Sequence, residues 1–546
     1  MNLQPIFDIP EICSRLGIKH AVISPGSRNG ALTIAFSRYP DIKCFSVPDE
    51  RSAGFIALGM SLQDNQPTVL ICTSGSAGLN YGPAVAEAFF NRIPLLILTA
   101  DRPADLIGIR DGQTIYQKEL FGKHVKAFFD LPVDSLNISH QQISKAIEIT
   151  KNGVAGPVHV NIPFKEPFYP SPNHQHSISN QIQIEKNTTE SPVDIFPKNE
   201  ILRFKKVLIV FGQQSFNLDL IDFFKSKVKT KFACLGDVTA NLHEVDDVVR
   251  HHDFYIESSN KDLQPELVIT FGLSVLSKKL KQLLRSTEGL EHWHVGIEGD
   301  SADTFGKLTR TFRIDILSFL RELCELDHFD NYYKENWFKS ELKTRTNLSI
   351  FNQEYAEPLA YQQVLYAIPD FVDVHLANSM TVRYASMLGL SQKNLRVYCN
   401  RGTSGIDGSN STAIGSAISS SKATVLLTGD VSFLYDRNAF WHNHVPKNML
   451  IIVFNNSGGG IFRLIEGPSN QPELEEFFET QQNSSSLHLA NEFGFEYQQI
   501  RNEDELSLAC HMIQNFKSGK HIIEVFTNKY TNEKSFKEMV KIIAPK

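Results

Sequence analysis

Short runs of unbroken apolar residues recur through this chain, each closed by a turn rich in Gly, Ser or Asp and followed by a helical pattern. His20–Ile23 leads into Ser24-Pro25-Gly26-Ser27-Arg28-Asn29-Gly30 and then a helical pattern over Ala31–Ser37. Thr68–Cys72 leads into Thr73-Ser74-Gly75-Ser76-Ala77-Gly78 and a helix over Leu79–Phe90. Pro94–Thr99, Val158–Ile162, Val207–Phe211, Leu267–Phe271, Val372–Leu376, Thr424–Thr428 and Met449–Phe454 read as further strands. Strands without polar alternation are buried on both faces, as in parallel sheets sandwiched by helices. The predicted class is α/β, with doubly wound parallel sheets.

At 546 residues, and roughly 150 residues per domain, the chain has room for about three or four domains. The segment 167–200 contains Pro-Ser-Pro, Ser-Ile-Ser-Asn and Asn-Thr-Thr-Glu-Ser-Pro, and reads as an exposed linker. A polar stretch with aromatics, Asp327 to Asn347, reads as a helical connector. The expected division is a first domain at 1–166, a linker at 167–200, a middle domain at 201–330, a connector at 331–354 and a last domain at 355–546. No internal sequence repeat aligns by eye.

Composition excludes more than it assigns. The net charge of −7 argues against a nucleic-acid footprint. It leaves small anionic ligands open, since local Arg and Lys groups bind those regardless of the total. The cysteines are seven and scattered, with no C-x-x-C pair, which favours a reducing compartment without a zinc site. No apolar stretch approaches the roughly 20 residues of a membrane helix, and no signal peptide is evident, so a soluble cytoplasmic protein is expected. The pairs His251-His252 and His442/His444 lack flanking ligand patterns. Neither G-x-x-x-x-G-K-[ST] nor an early G-x-G-x-x-G is present, which argues against a P-loop kinase and a Rossmann dehydrogenase.

The most specific chemistry lies near the end of the chain. One strand ends in Gly429-Asp430, and the next ends in Asn455-Asn456-Ser457-Gly458-Gly459-Gly460. Parallel neighbours joined by one crossover helix would bring both ends to the ligand-binding edge of the sheet. Asp430 and Asn456 could there offer two hard oxygens to one Mg²⁺, with phosphate oxygens and water completing the octahedron. Mn²⁺ suits the same oxygens. Taken singly, an Asp and an Asn after strands are ordinary turn residues.

A Gly-Asp followed about two dozen residues later by Asn-Asn resembles the thiamin diphosphate-binding fold, although Val431 stands where that pattern often has Gly. The resemblance implies a carboxylate beside the cofactor's aminopyrimidine ring. Val47-Pro48-Asp49-Glu50-Arg51 supplies Glu50 in that context. The residue also reads as a helix-capping acid, and the two roles are compatible.

The match narrows further. Ser24-Pro25-Gly26-Ser27-Arg28, Asp49-Glu50-Arg51, Thr73-Ser74-Gly75, Thr99-Ala100-Asp101-Arg102-Pro103, Asn400-Arg401-Gly402 with Ser404-Gly405-Ile406-Asp407-Gly408, and Asn455-Asn456 with Gly459-Gly460-Ile461-Phe462 together resemble the 2-succinyl-5-enolpyruvyl-6-hydroxy-3-cyclohexene-1-carboxylate synthase family, thiamin diphosphate enzymes of menaquinone biosynthesis. The middle domain matches weakly, through Phe271-Gly272 and Ser277-Lys278-Lys279-Leu280.

The resemblance implies decarboxylation of 2-oxoglutarate and 1,4-addition of the resulting succinyl carbanion equivalent to isochorismate. It implies Glu50 as the catalytic acid. Both substrates are polyanions, and Arg suits them because its planar fork pairs carboxylates in bidentate fashion. The resemblance therefore assigns Ser27, Arg28, Arg102, Gln113, Lys278, Arg383 and Arg401 to substrate. It assigns Glu50, Thr73, Ser74, Gly75, Gly429, Asp430, Asn456 and Gly459 to the cofactor, and Asp430, Asn456 and the Gly458 carbonyl to the metal. Ile406 would wedge the cofactor into its bent shape, and Ile461, Phe462 and Ile465 would wall the reacting carbon. Ile406 reads equally as a core residue, and Ile461-Phe462 as the start of a buried helix.

The superfamily pattern implies a homodimer or dimer of dimers with active sites at the subunit interface. Two alternatives stand: another thiamin diphosphate decarboxylase or carboligase of acetolactate synthase type, and a catalytically silent binding protein of the same fold.

Overall fold

The computed structural model describes residues 3–131, 136–166, 169–170, 182, 193–226, 230–257, 260–297 and 302–545. The strands form three sheets of six, five and six members. The first contains β1 (His20–Ile23), β2 (Lys43–Ser46), β3 (Thr68–Cys72), β4 (Leu95–Asp101), β5 (Phe128–Asp130) and β6 (Pro157–Pro163), in the order β2-β1-β3-β4-β6-β5. All of its pairings run parallel. Strand order reverses between β1 and β3, so the turns after these two strands flank the crevice of an open α/β sheet.

The second sheet contains β7 (Val207–Phe211), β8 (Ala233–Gly236), β9 (Leu267–Phe271), β10 (Glu291–Val295) and β11 (Leu308–Phe312), in the order β11-β10-β9-β7-β8. The third contains β12 (Asp373–Leu376), β13 (Arg396–Tyr398), β14 (Thr424–Gly429), β15 (Asn448–Asn455), β16 (Glu496–Ile500) and β17 (Gly519–Phe526), in the order β13-β12-β14-β15-β17-β16. Its reversal lies between β12 and β14. Every apolar run read as a strand is one, within a residue or two at the ends. The strands β3, β4, β7 and β9 are buried at every position, as the absence of polar alternation requires.

Two expectations change in detail. The helix predicted over Leu79–Phe90 is two helices, Ser76–Asn80 and Gly82–Phe90, broken at Tyr81. Pro83, in the first turn of the second helix, has no N–H to give and so costs nothing there, whereas it would disrupt a continuous helix. The linker expected at 167–200 lies for the most part outside the described residues, and its end carries the short helix Lys198–Ile201. The stretch read as a helical connector contains the helix Asn331–Ser349.

The described residues group into two compact units. One comprises those within 1–190 with Asn400–Ser421 and Phe433–Met449; the other comprises those within 191–399 with Lys422–Ser432 and Leu450–Lys546. In the first unit the helix Ser409–Ser419 lies directly on the helix Glu50–Asp64. A side chain at Gly59 would overlap the Thr412 carbonyl, and one at Gly415 the Ile56 carbonyl, so the two backbones touch through paired glycines. This seats the helix whose first residue is Glu50. In the second unit the third sheet buries Val374, Leu427, Ile452 and Val525 in one core with Tyr361, Tyr384 and Phe454. The Tyr361 and Phe454 rings stack at 3.5 Å. Among the described residues no helix is long and apolar enough to cross a membrane.

His375 on β12 is buried and stacks on Tyr398 at 4.9 Å. Burial pushes its pKa down to about 3 from the ordinary 6.5. The unfolded chain therefore takes up a proton here that the folded chain refuses. The stability this neutral ring contributes is complete above about pH 6.5 and is lost as pH falls toward about 3. One such group costs about 1.4 kcal/mol per pH unit across that window. His375→Phe, which keeps the stack without titrating, is expected to flatten the pH dependence of unfolding by about that amount, read from denaturant melts between about pH 6 and pH 4.

Candidate active site

The carboxyl edge of the first sheet gathers one family of site residues. Ser27 and Arg28 follow β1, Glu50 follows β2, Thr73-Ser74-Gly75 follow β3 and Arg102 follows β4. Asp49 is the N-cap of the Glu50–Asp64 helix, its side chain accepting the Ser52 N–H at 3.0 Å. The capping role considered for Glu50 therefore belongs to its neighbour, and the Glu50 carboxyl is left for other work. It is half-buried, and desolvation, with the nearby Asp49 charge, raises its pKa above the ordinary carboxyl value.

Arg28 is buried and donates from Nη1 to the Phe164 carbonyl at 3.1 Å and from Nη2 to Glu166 at 3.3 Å. Arg102 pairs with Asp111 at 3.9 Å, and its Nε is buried without a hydrogen-bond acceptor. Gln113 is exposed, and its backbone lies against Gly75. The Gly75 N–H is held by Gln117 Oε1 at 2.8 Å. Gln117 also donates to the Ala100 carbonyl and to Asn161, while Asn161 donates to Asp101. A buried polar chain thus ties the turn after β3 to the turn after β4. Glu87, also buried, clamps the segment after Arg401: it accepts from Gly402 N at 2.8 Å, Thr403 N at 2.6 Å and Thr403 Oγ1 at 2.8 Å. Ile406 is partly exposed rather than a core residue, just ahead of the Ser409–Ser419 helix.

The carboxyl edge of the third sheet gathers the other family. Asp430 follows β14 and is 3% exposed; Asn456 follows β15 and is 8% exposed. Burial pushes the Asp430 carboxyl up to about 6, against the pull of hydrogen bonds from Gln482 Nε2 at 2.7 Å and Val431 N at 2.8 Å. Asn456 donates from Nδ2 to Glu357 Oε1 at 2.6 Å, and its Oδ1 is buried with no partner among the described residues. Gly458 has φ +156°, and a side chain there would meet the Glu479 carbonyl, so only glycine fits this turn. Gly459 N donates to the same carbonyl at 2.7 Å.

Arg383 stands in the first turn of the Met380–Leu388 helix after β12, behind Ser379, whose φ of +73° is a strained value for a side-chain-bearing residue. Lys278 opens the Lys278–Ser286 helix after β9 of the second sheet and is exposed.

Ile461 and Phe462 begin a helix of four residues, Ile461–Leu464, and both are partly exposed; its buried member is Arg463, not an apolar residue. Arg463 donates to Glu475 at 2.6 Å and to Glu479 at 3.0 Å, and Lys529 reaches Glu479 at 3.2 Å. Ile461 does begin a short helix and packs, partly buried, against the core of the third sheet, while the buried residue of that helix is Arg463 in its ion cluster. Ile465 is exposed.

These residues fit the group the resemblance implies. The unpartnered Asn456 Oδ1 and the second lone pairs of the Asp430 oxygens are hard donors of the kind Mg²⁺ takes. In the first unit Thr73 Oγ1 and Ser74 Oγ are buried without partners, polar atoms placed to meet a polar ligand. Sequence reading missed Glu357, Gln482, Gln117 and Glu87. Glu357 is 4% exposed although it stands in the first turn of the Glu357–Ala367 helix. An acid there gains about 0.3–1 kcal/mol from the helix dipole, while burying a carboxylate costs several kcal/mol. Its position in the helix does not account for it, and burial pushes its carboxyl up to about 7 against the pull of the Asn456 amide.

The thiamine pyrophosphate enzyme N-terminal TPP binding domain model matches residues 8–126. The structure of a benzoylformate decarboxylase from Polynucleobacter necessarius shares the fold, with TM-score 0.71 at 16% identity over 96% of this chain and 98% of that one. The 2-succinyl-5-enolpyruvyl-6-hydroxy-3-cyclohexene-1-carboxylate synthase of Flavobacterium johnsoniae is 37% identical over 98% of each chain, and that of Flavobacterium psychrophilum 38% over 96% of each. That of Cytophaga hutchinsonii is 42% identical over 99% of each. On this near-complete coverage, the chain belongs to the 2-succinyl-5-enolpyruvyl-6-hydroxy-3-cyclohexene-1-carboxylate synthase family.

Proposed function

We propose that the chain decarboxylates 2-oxoglutarate and joins the remaining succinyl unit to isochorismate by 1,4-addition, with thiamin diphosphate held through Mg²⁺ or Mn²⁺. The observation that carries this reading is the Asn456 amide, at the end of the strand next to the one that Asp430 follows: its nitrogen is committed to Glu357, and its buried oxygen lacks a partner among the described residues. With the Gly458 carbonyl they make an all-oxygen set suited to a hard divalent cation. The cofactor, when bound, supplies the electron sink for the pair released as carbon dioxide leaves.

The protein's own groups do the rest. Glu50, whose carboxyl desolvation raises from its ordinary value, is the acid that exchanges a proton with the aminopyrimidine nitrogen. Thr73, Ser74 and Gly75 line the aminopyrimidine end, Ile406 supports the bent cofactor, and Gly429 and Gly459 admit the diphosphate. Arg28, Arg102, Arg383 and Arg401, with Ser27, Gln113 and Lys278, take the substrate carboxylates and hydroxyls. Ile461, Phe462 and Ile465 keep water from the reacting carbon, which favours loss of the charged carboxylate.

The same reading makes 1–166 the aminopyrimidine-binding domain and 355–546 the diphosphate-binding domain. These are joined through a middle domain at 201–330 by the linker and connector. It calls for a homodimer or dimer of dimers in the cytoplasm, with cofactor ends supplied by different copies.

The deciding experiment is a mass-spectrometric product assay with purified protein, thiamin diphosphate, Mg²⁺, 2-oxoglutarate and isochorismate, each omitted in turn. The expected product is the succinylated cyclohexene carboxylate, absent without thiamin diphosphate. Turnover of pyruvate instead would favour the acetolactate synthase-like alternative, and consumption of neither substrate by folded protein would favour the binding protein. Glu50→Gln is expected to lower kcat by about 10²–10⁴-fold, the usual weight of acid–base catalysis, while retaining cofactor binding in calorimetry. Asp430→Ala is expected to weaken Mg²⁺-dependent cofactor binding by at least about tenfold, since it deletes a ligand rather than a partner of one. Unchanged affinity would remove Asp430 from the metal site.

A further inference from the structure

We propose that Glu357 is the positioning residue of the cation site: its carboxylate captures the Asn456 amide nitrogen and thereby aims Oδ1 at the metal. The inference rests on the assignment of Asn456 as a metal ligand and deepens it. A side-chain amide presents either end to a neighbour, and only one end can ligate a cation. The amide nitrogen Nδ2 is the atom that faces Glu357, donating to its Oε1 at 2.6 Å. The amide oxygen then faces away from Glu357, and it is this atom that is buried without a partner among the described residues. Gly460 closes a further side, because a side chain there would overlap Asn456 Nδ2.

Glu357 is itself held firmly. Its backbone N–H donates to Asn532 Oδ1 at 3.0 Å, and Asn532 Nδ2 donates to Thr527 Oγ1 at 2.9 Å. The first turn of the Glu357–Ala367 helix is thus pinned from the Lys529–Ile543 helix, which fixes where the carboxylate stands. Partners behind metal ligands commonly set the ligand's orientation, and their loss weakens metal affinity by about 10–100-fold. Glu357 touches neither metal nor substrate in this scheme; it acts through Asn456.

The test is a calorimetric titration of Mg²⁺ into full-length protein at saturating thiamin diphosphate, with wild type, Glu357→Gln, Glu357→Asp and Glu357→Leu. Folding is checked by circular dichroism. Gln keeps the reach without the charge and still accepts when its oxygen faces Asn456; its donor end fixes the amide less strictly, and it is expected to hold the Mg²⁺ dissociation constant within about threefold. Asp keeps the charge but withdraws the acceptor by one methylene, and Leu deletes it; both are expected to weaken Mg²⁺ by about 10–100-fold. An unfolded Leu variant leaves the Gln and Asp pair to decide. Affinity retained by Asp and lost by Gln would show that charge, not aim, is what Glu357 supplies, and would overturn the proposal. Equal affinity in all variants, with only the melting temperature moved, would reduce Glu357 to a structural acid. Absence of Mg²⁺-dependent binding in wild type would instead overturn the assignment of the metal site on which the proposal stands.

Discussion

Parallel pairing with both faces of each sheet covered is the constraint on which this protein depends. Strands such as β3 and β4, buried at every residue, have no free face on which to place chemistry. Reactive groups are therefore confined to the turns, and in an open sheet the useful turns are those at the carboxyl ends near a reversal of strand order. Ser27, Arg28, Glu50, Ser74 and Arg102 all occupy such turns in the first sheet. Asp430 and Asn456 follow strands of the third sheet in the same way, and Arg383 stands in the first turn of the helix after β12. The fold decides where chemistry can stand before any side chain is chosen.

Confinement to turns has a cost in order, because loops are the more mobile parts of a fold. The chain meets it with buried polar ties rather than apolar packing. Gln117 and Asn161 link the turns after β3 and β4. Glu87 grips Gly402 and Thr403. The ion cluster of Arg463, Glu479 and Lys529 supports the segment after Asn456 from behind. Each tie anchors a surface loop to buried polar groups, which limits how far the residues on that loop can move.

The strands and most of the turn residues were legible in the sequence because their signal is local: unbroken apolar runs, then Gly, Ser or Asp. The spacing of Asp430 and Asn456 was legible for the same reason. The helix break at Tyr81 was missed because a proline in the first turn of a second helix looks, in sequence, like one inside a single helix. Glu50 was credited with a cap that Asp49 makes, since two adjacent acids at a helix start differ only in backbone conformation. The ties were illegible for a stronger reason. Asn456 meets Glu357 across 99 positions, and Glu87 meets Gly402 across 315. No local pattern marks either acid, and a glutamate near a helix end reads as a solvated residue until its partner is known.

Energetics separate the buried acids into two kinds. Hydrogen bonds to a charged group contribute about 1.5–3 kcal/mol each, while burying the charge costs several. Glu87 receives two backbone N–H groups and a hydroxyl, and Asp436 receives the Ser411 N–H and hydroxyl. Those bonds oppose the cost of burial without cancelling it, since burial still raises both carboxyls, and both acids act as fasteners of chain segments. Glu357 is spent differently. Its carboxylate receives the amide of Asn456, itself a buried group with its oxygen unmet. A fastener is best placed against backbone, whose N–H direction is fixed; an orienting acid must be placed against a side chain that has two ends. The choice of partner, backbone for Glu87 and amide side chain for Glu357, is what distinguishes a structural acid from one that sets the direction of a ligand.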